Sequence, residues 1–195
     1  MNEARASARP RRSKPKKIPA PQGEISRGGA AMNKKISVQG KWKRVFDFDF
    51  RTRDFFTIVT DRYKIVLSGG SVKVSDIETG KALFAGSGFR YLYTGDVSPD
   101  EKVLAALENG KHFYIFSLET FELRGRVTLP RGYESIDGYP SFSPCGKELL
   151  VPVSRYPGER AGYLYYICRY DARTYQFVAM EEIGRDDFPA WPVLL

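Results

Sequence analysis

The sequence predicts an all-β fold, and three observations carry that expectation. From Val45 onward apolar residues recur with a period of two rather than 3.6. Nearly every gap between the short apolar runs holds Gly, Pro, Asp or Asn, the residues of tight turns. No stretch shows the spacing of a long amphipathic helix. A chain of 195 residues with 42% hydrophobic and 14% aromatic content is long enough to bury one real core. It holds no apolar run near the ~20 residues of a helical membrane span.

The elements come in order along the chain. Val45-Phe46-Asp47-Phe48-Asp49-Phe50 alternates rings with carboxylates, which places them on opposite faces of a strand. Further strands are expected at residues 55–60, 63–67, 72–77, 82–85, 91–97, 103–107, 113–118 and 123–129. The series continues at 136–142, 149–153, 163–170 and 177–180, with a last run at 191–195. Pro152 falls inside one of these runs, where it removes a ladder donor, so a bulge or an edge position is expected there.

The runs also repeat as a set. Ser98-Pro99-Asp100-Glu101-Lys102 and Ser143-Pro144-Cys145-Gly146-Lys147 lie 45 positions apart, and each precedes an apolar strand. Pro at the first corner and a short polar residue or Gly at the next suit a type I turn. Thr60-Asp61-Arg62-Tyr63 is a degenerate version. A second marker closes each unit, as Asp76-Ile77-Glu78-Thr79-Gly80, Ser117-Leu118-Glu119-Thr120-Phe121 and Asp171-Ala172-Arg173-Thr174-Tyr175. Ser98 to Thr120 spans 22 positions and Ser143 to Thr174 spans 31. A longer loop around Tyr156-Pro157-Gly158-Glu159-Arg160, in place of Asn109-Gly110-Lys111, accounts for the difference.

A four-strand unit repeating at ~40–45 residues is the pattern of a β-propeller blade. The two Ser-Pro turns, with Val72-Lys73-Val74-Ser75-Asp76-Ile77-Glu78-Thr79-Gly80-Lys81 as a third strand and hairpin, resemble the WD40-like and YVTN-type propeller repeats. The resemblance runs from Asp54 to Ile183 and implies architecture rather than activity. The Trp-Asp pair of that family is replaced by Ser75-Asp76, Ser117-Leu118 and Tyr170-Asp171, and no Gly-His precedes the units. A divergent blade without the family's His–Asp network is therefore implied. Blades at about 54–88, 90–129 and 135–183 make three, fewer than the four to eight of closed propellers. An open arc, completed by self-association or by a partner, is expected, with residues 42–195 as the repeat domain.

The formal charge of +8 is unevenly spread. Residues 1–44 hold 13 Lys and Arg against Glu3 and Glu24, whereas the rest holds 18 basic and 21 acidic side chains. Residues 1–41 have no aromatic side chain, so a basic disordered tail is expected there. Arg9, Arg11, Arg12, Lys14, Lys16 and Lys17 are its candidates for an anionic surface or nucleic acid, without base stacking. The same run has the pattern of a nuclear-localisation signal. Met32-Asn33-Lys34-Lys35 offers an alternative start of translation. Neither Met1 nor Met32 precedes a secretory apolar region, so a cytoplasmic location is expected.

Catalytic and metal chemistry finds little to use. His112 is the one histidine, and a site joining it to Cys145 and Cys168 would need three strands to converge. Asp47 and Asp49 share a strand face but read as solvated carboxylates rather than a glycosidase pair. Gly69-Gly70 and Gly86-Ser87-Gly88 lack the context of a phosphate loop or a nucleophile elbow. No cofactor, no metal and no enzyme activity is expected. Aromatics are the surplus, and Tyr133, Tyr156, Arg131, Arg155 and Arg160 in loops have the composition of interface anchors. A noncatalytic scaffold that binds a protein through loop tips or open blade edges is the leading expectation. The alternatives are a fragment of a larger catalytic propeller, lactonase or peptidase-associated, and a nucleic-acid-associated protein acting through the tail.

Overall fold

The computed structural model of the protein describes residues 35–37, 41–46, 56–135 and 138–189. All of them belong to Met32–Leu195, the second of the two units into which the chain divides. Among the described residues there is no helix. The strands are β1 (Lys35–Ser37), β2 (Lys43–Phe46), β3 (Phe56–Val59), β4 (Tyr63–Asp76), β5 (Ala82–Val97) and β6 (Val103–Glu108). They continue with β7 (His112–Ser117), β8 (Leu123–Thr128), β9 (Ser141–Phe142), β10 (Glu148–Arg155), β11 (Leu164–Asp171) and β12 (Phe177–Ile183). Every pairing is antiparallel; β1 to β8 form one sheet in chain order and β9 to β12 a second.

The long strands β4 and β5 each do two jobs. Within β4 the chain turns back at Gly69-Gly70, with Gly69 at φ +53° and the Ser71 hydroxyl on Ser68 O. That return brings the two ends of β4 together, where Ile77 N–H donates to Arg62 O at 2.9 Å. The same closure recurs as Leu118 N–H to Lys102 O (2.8 Å) and Ala172 N–H to Lys147 O (2.9 Å). The first part of β5 pairs with the second part of β4, from Ser75↔Ala82 to Ser71↔Ser87. Its last part pairs with β6, from Leu92↔Glu108 to Val97↔Leu104. Positive φ at Gly88 and Tyr91 separates the two parts.

Both turn markers fold alike wherever they occur. Ser98 N–H donates to Val103 O, and Val103 N–H returns to Ser98 Oγ, at 2.8 and 2.9 Å. Ser143 does the same with Glu148 at 2.9 and 3.0 Å. Thr60 makes a shorter turn, with its N–H on Tyr63 O and its Oγ1 accepting from Tyr63 N–H, both at 2.9 Å. At the second marker the side chain of Asp76, Ser117 or Asp171 accepts from the N–H of the Thr three residues on, at 2.8, 3.2 and 2.7 Å. The residue after each Thr is left-handed: Gly80 at +68°, Phe121 at +57° and Tyr175 at +58°. Gly fits that conformation without strain, whereas the two aromatics hold it while packing against the core. The nine extra residues of the last repeat divide between loop and strands. The connection grows from three residues to eight, and β10 and β11 are each two residues longer than β6 and β7.

The core forms two clusters on either side of β6 and β7. Leu104, Ala106, Tyr114 and Phe116 face one way, against Phe56, Ile58, Ile65, Leu67, Val72 and Val74. Ala105, Leu107, Phe113 and Ile115 face the other way, against Leu149, Val151, Val153, Cys168 and Tyr170. Strands buried on both faces lose the usual apolar–polar alternation, as the run Val103-Leu104-Ala105-Ala106-Leu107 does. Phe113 and Tyr170 meet edge-on at 5.0 Å across the second interface, a contact worth about 0.5–1.5 kcal/mol beyond its area.

Polar ties cross the layers as well. The Glu101 carboxylate accepts from Thr60 Oγ1 (2.8 Å) and Arg62 N–H (3.1 Å), joining two successive turns. Trp42 Nε1–H donates to Val97 O at 2.9 Å. The Arg44 guanidinium meets Asp96 at 2.7 Å, with the two side chains 2% and 7% exposed. The other Asp96 oxygen accepts from Phe142 N–H at 2.8 Å. Burial pushes the Asp96 carboxyl above its usual range, opposed by Arg44 and by that N–H.

Several expectations change. Residues 1–41 were expected to be a tail throughout, yet Lys35–Ser37 is a strand, because its backbone pairs with β2 from Lys35↔Phe46 to Ser37↔Arg44. Arg44 belongs to the buried core rather than to a basic leader. Of the strand expected at 136–142, the structure shows Ser141–Phe142 and a bridge at Gly138, with 139–140 unpaired as a strand and 136–137 outside the described residues. Ser154 exchanges both backbone bonds with Glu134, so by alternation Pro152 turns to the same side, where it has no N–H to offer. Tyr139 N–H bonds Pro189 O instead, at 2.9 Å. The Pro152 ring also lies so near Gly138 that a Cβ there would sit 2.6 Å from Pro152 Cγ. The expected runs at 47–50 and 191–195, with Asp47 and Asp49, lie outside the described residues.

Candidate functional site

The loop cluster sits at the tip of the β10–β11 hairpin and is divided by the alternation of the strands. Arg155 points to the side of the second core cluster, where its guanidinium carbon stands 5.9 Å from the Tyr133 ring centre. Tyr133 in turn meets Tyr166 edge-on at 5.1 Å and packs against that cluster. Tyr156 lies on the opposite side, 5.0 Å from Tyr163. These two rings are the exposed members, at 52% and 53%. Arg131 and Arg160 are exposed on turns, the first closed by Tyr133 N–H on Pro130 O and the second within Gly158–Gly162. The structure therefore joins Tyr133 with Arg155 and sets Tyr156 apart from them.

The rings on the Tyr156 side form a continuous strip. Tyr163 leads to Tyr165 at 6.4 Å, and Tyr165 to Phe188 at 4.8 Å. Beside it runs an open groove of about 510 Å³, lined by Tyr163, Leu164, Tyr165, Ile183, Glu182 and Arg185 with Gly162. Exposed aromatic edges flanked by one cation and one anion can take up apolar and stacking groups from a partner. Phe188 went unrecognised, since Asp186-Asp187-Phe188-Pro189 reads as a polar loop. The alternation Tyr163-x-Tyr165-x-Ile167 was the signal for the strip. Arg9, Arg11, Arg12, Lys14, Lys16 and Lys17 lie outside the described residues.

The reactive residue types are spread through the fold. Cys145 is exposed in the Ser143 turn, where the Ser143 hydroxyl and the Lys147 N–H hold its thiol below the usual range. Cys168 is buried in the second cluster, and burial pushes its thiol up to about 12. His112 opens β7 opposite Thr128, and its Nδ1 is buried without a hydrogen-bond partner. Among the described residues no group of three or more His, Cys, Asp or Glu is placed to hold a metal ion.

The fold is similar to two solved structures. One is the hydrazine synthase of Kuenenia stuttgartiensis, with TM-score 0.54, 15% identity, and coverage of 74% of this chain and 44% of that one. The other is U3-55K, with TM-score 0.51, 14% identity, and coverage of 64% and 37%. Both are of β-propeller type. At these identities the likeness concerns the fold alone, and this chain spans less than half the length of either. No family model matches the sequence, and no curated protein does.

Proposed function

We propose that the chain is a noncatalytic β-propeller interaction module, with about three WD40-like blades in an open arc and a protein partner held at the β10–β11 loop tips. The twice-buried β6 and β7, the recurrence of both turn markers and the propeller-type neighbours support the blade reading. The exposed Tyr156–Tyr163 pair, with the exposed Arg160 in the same loop, carries the binding reading. Large rigid rings next to guanidinium groups are the side chains that dominate binding energy at protein interfaces.

The test is a partner trapped by a photo-crosslinking residue at position 163 and then titrated against variants. Tyr156→Ala with Arg160→Ala is expected to weaken that partner's binding by about tenfold or more, at an unchanged melting temperature. Equal binding by the variant would contradict the assignment. The coverage of 44% and 37% of the matched chains favours a second reading, in which these blades belong to a longer propeller whose chemistry lies in other sequence. Extending the reading frame discriminates the two, since a further set of blades or a hydrolase motif would favour the second.

A further inference from the structure

The three units stack in one direction, and the turn bonds give the correspondence between them. In each unit the first N–H of the turn is received by one carbonyl, that of Tyr63, Val103 or Glu148. Counted from these residues, Ile65, Ala105 and Leu150 correspond, as do Lys64, Leu104 and Leu149. Ile65 shares the first core cluster with Leu104, and Ala105 shares the second with Leu149. The leading side of one unit thus meets the trailing side of the next at both interfaces. Among the described residues, two sides lack such a neighbour: the trailing side of the first unit and the leading side of the last.

Those two sides are opposite in charge. On the trailing side of the first unit the charged strand residues are Lys43, Lys64 and Lys73, all exposed. Half-buried Val59 lies opposite both Lys43 and Lys64 in the strand registers. On the leading side of the last unit the charged strand residues are Glu148, Asp171 and Glu181, with Arg169 ion-paired to Glu148. Leu150, Ile167 and Ile183 alternate with these charges and are half-buried. One side therefore carries cations and the other a surplus of carboxylates, each around a few apolar side chains.

We propose that two copies of the chain close a ring of six units, each setting the Glu148 side of its last unit against the Lys64 side of the other copy's first unit. Six units fall within the four to eight blades of closed propellers, and three do not. At ~4.8 Å between strands and ~3.3 Å per residue, about two dozen strand residues make a face of roughly 400 Å². Closure joins four such faces, roughly 1,600 Å² in all, which is the size of a stable interface. The second contact forms within an already joined pair, so its effective concentration is high. The charges select the pairing, because lysine sides repel each other and so do carboxylate sides. The inference rests on the blade reading and not on the loop-tip contact, since Tyr156 and Glu148 stand at opposite ends of β10.

The test is light scattering on the full chain, which should show twice the chain mass of 22.1 kDa. Lys64→Glu with Lys73→Glu should give the single mass, and so, separately, should Glu148→Lys with Glu181→Lys. Mixed one to one, the two variants should recover the doubled mass, since both contacts of the mixed pair again join opposite charges. That recovery also shows that both variants are folded. A single mass for the wild type at every concentration, a doubled mass kept by either variant alone, or no recovery on mixing would each overturn the proposal. Masses beyond two chains would overturn the ring in favour of an open stack. A single-mass chain whose β6 and β7 amides still exchange slowest would sink the ring and leave the blade reading standing. Tyr156→Ala with Arg160→Ala is expected to keep the doubled mass, and its loss there would overturn this contact in favour of one at the tip.

Discussion

Arg44 shows what a single residue can do in a small β fold. A guanidinium that is 2% exposed is tolerable only when paired, and Asp96 pairs it while also accepting from Phe142 N–H. One carboxylate therefore ties β2, β5 and β9 together. Removing one partner leaves the other charge buried, so Arg44→Ala is expected to cost about 3–5 kcal/mol. Arg44→Met with Asp96→Leu should recover part of that loss. The remainder, about 1–3 kcal/mol, reflects the Phe142 N–H that has lost its acceptor. Urea midpoints at constant slope measure both, and a double variant weaker than Arg44→Ala would contradict this account of the pair. The burial of Arg44 was not legible, because the sequence groups it with the basic residues before it, and only the structure puts it beside the buried Trp42. Its partner was equally hidden, because Asp96 lies far along the chain and only tertiary contact brings the two together.

At the scale of elements, the turns were the most legible feature, because their hydrogen bonds close within six residues. Ser98, Ser143, Asp76, Ser117 and Asp171 all act where their spacing placed them. The short β9 was less legible. Pro152 announced a broken ladder, but the departure of residues 139–140 from it also depends on Gly138, Tyr139 and Pro189, which come from separate parts of the sequence. The turn carboxylates also set a pH dependence. Bonds from Thr79 hold the Asp76 carboxyl below its ordinary 3.8, and bonds from Thr174 do the same for Asp171. A depressed folded value means stability that is present above pH 3.8 and is lost as pH falls through the folded values. Asp96 acts with the opposite sign, since burial raises it and its contribution fades as pH rises through the raised value. The melting temperature is therefore expected to fall below about pH 4, and to fall less in Asp76→Asn with Asp171→Asn. Equal falls in wild type and variant would contradict the assignment.

For the whole molecule, the all-β class and the recurring turns were visible because strand period and turn chemistry are local. The stacking order was visible only indirectly, in the unbroken apolar run of β6, and the aromatic strip ending at Phe188 was hidden by the acidic residues before it. The central physical claim is that β6 and β7 lie between the β3–β4 part of their own sheet and the β9–β12 sheet, with one cluster on each face. Strands placed so open only on global unfolding, whereas edge strands fray at much lower cost. Native-state hydrogen exchange resolved by residue tests this most directly. The slowest amides are expected in β6 and β7, those of β10 and β11 should come next, and β8 and β12 should exchange soonest. Exchange from β6 and β7 as fast as from β8 and β12 would contradict the stacked arrangement.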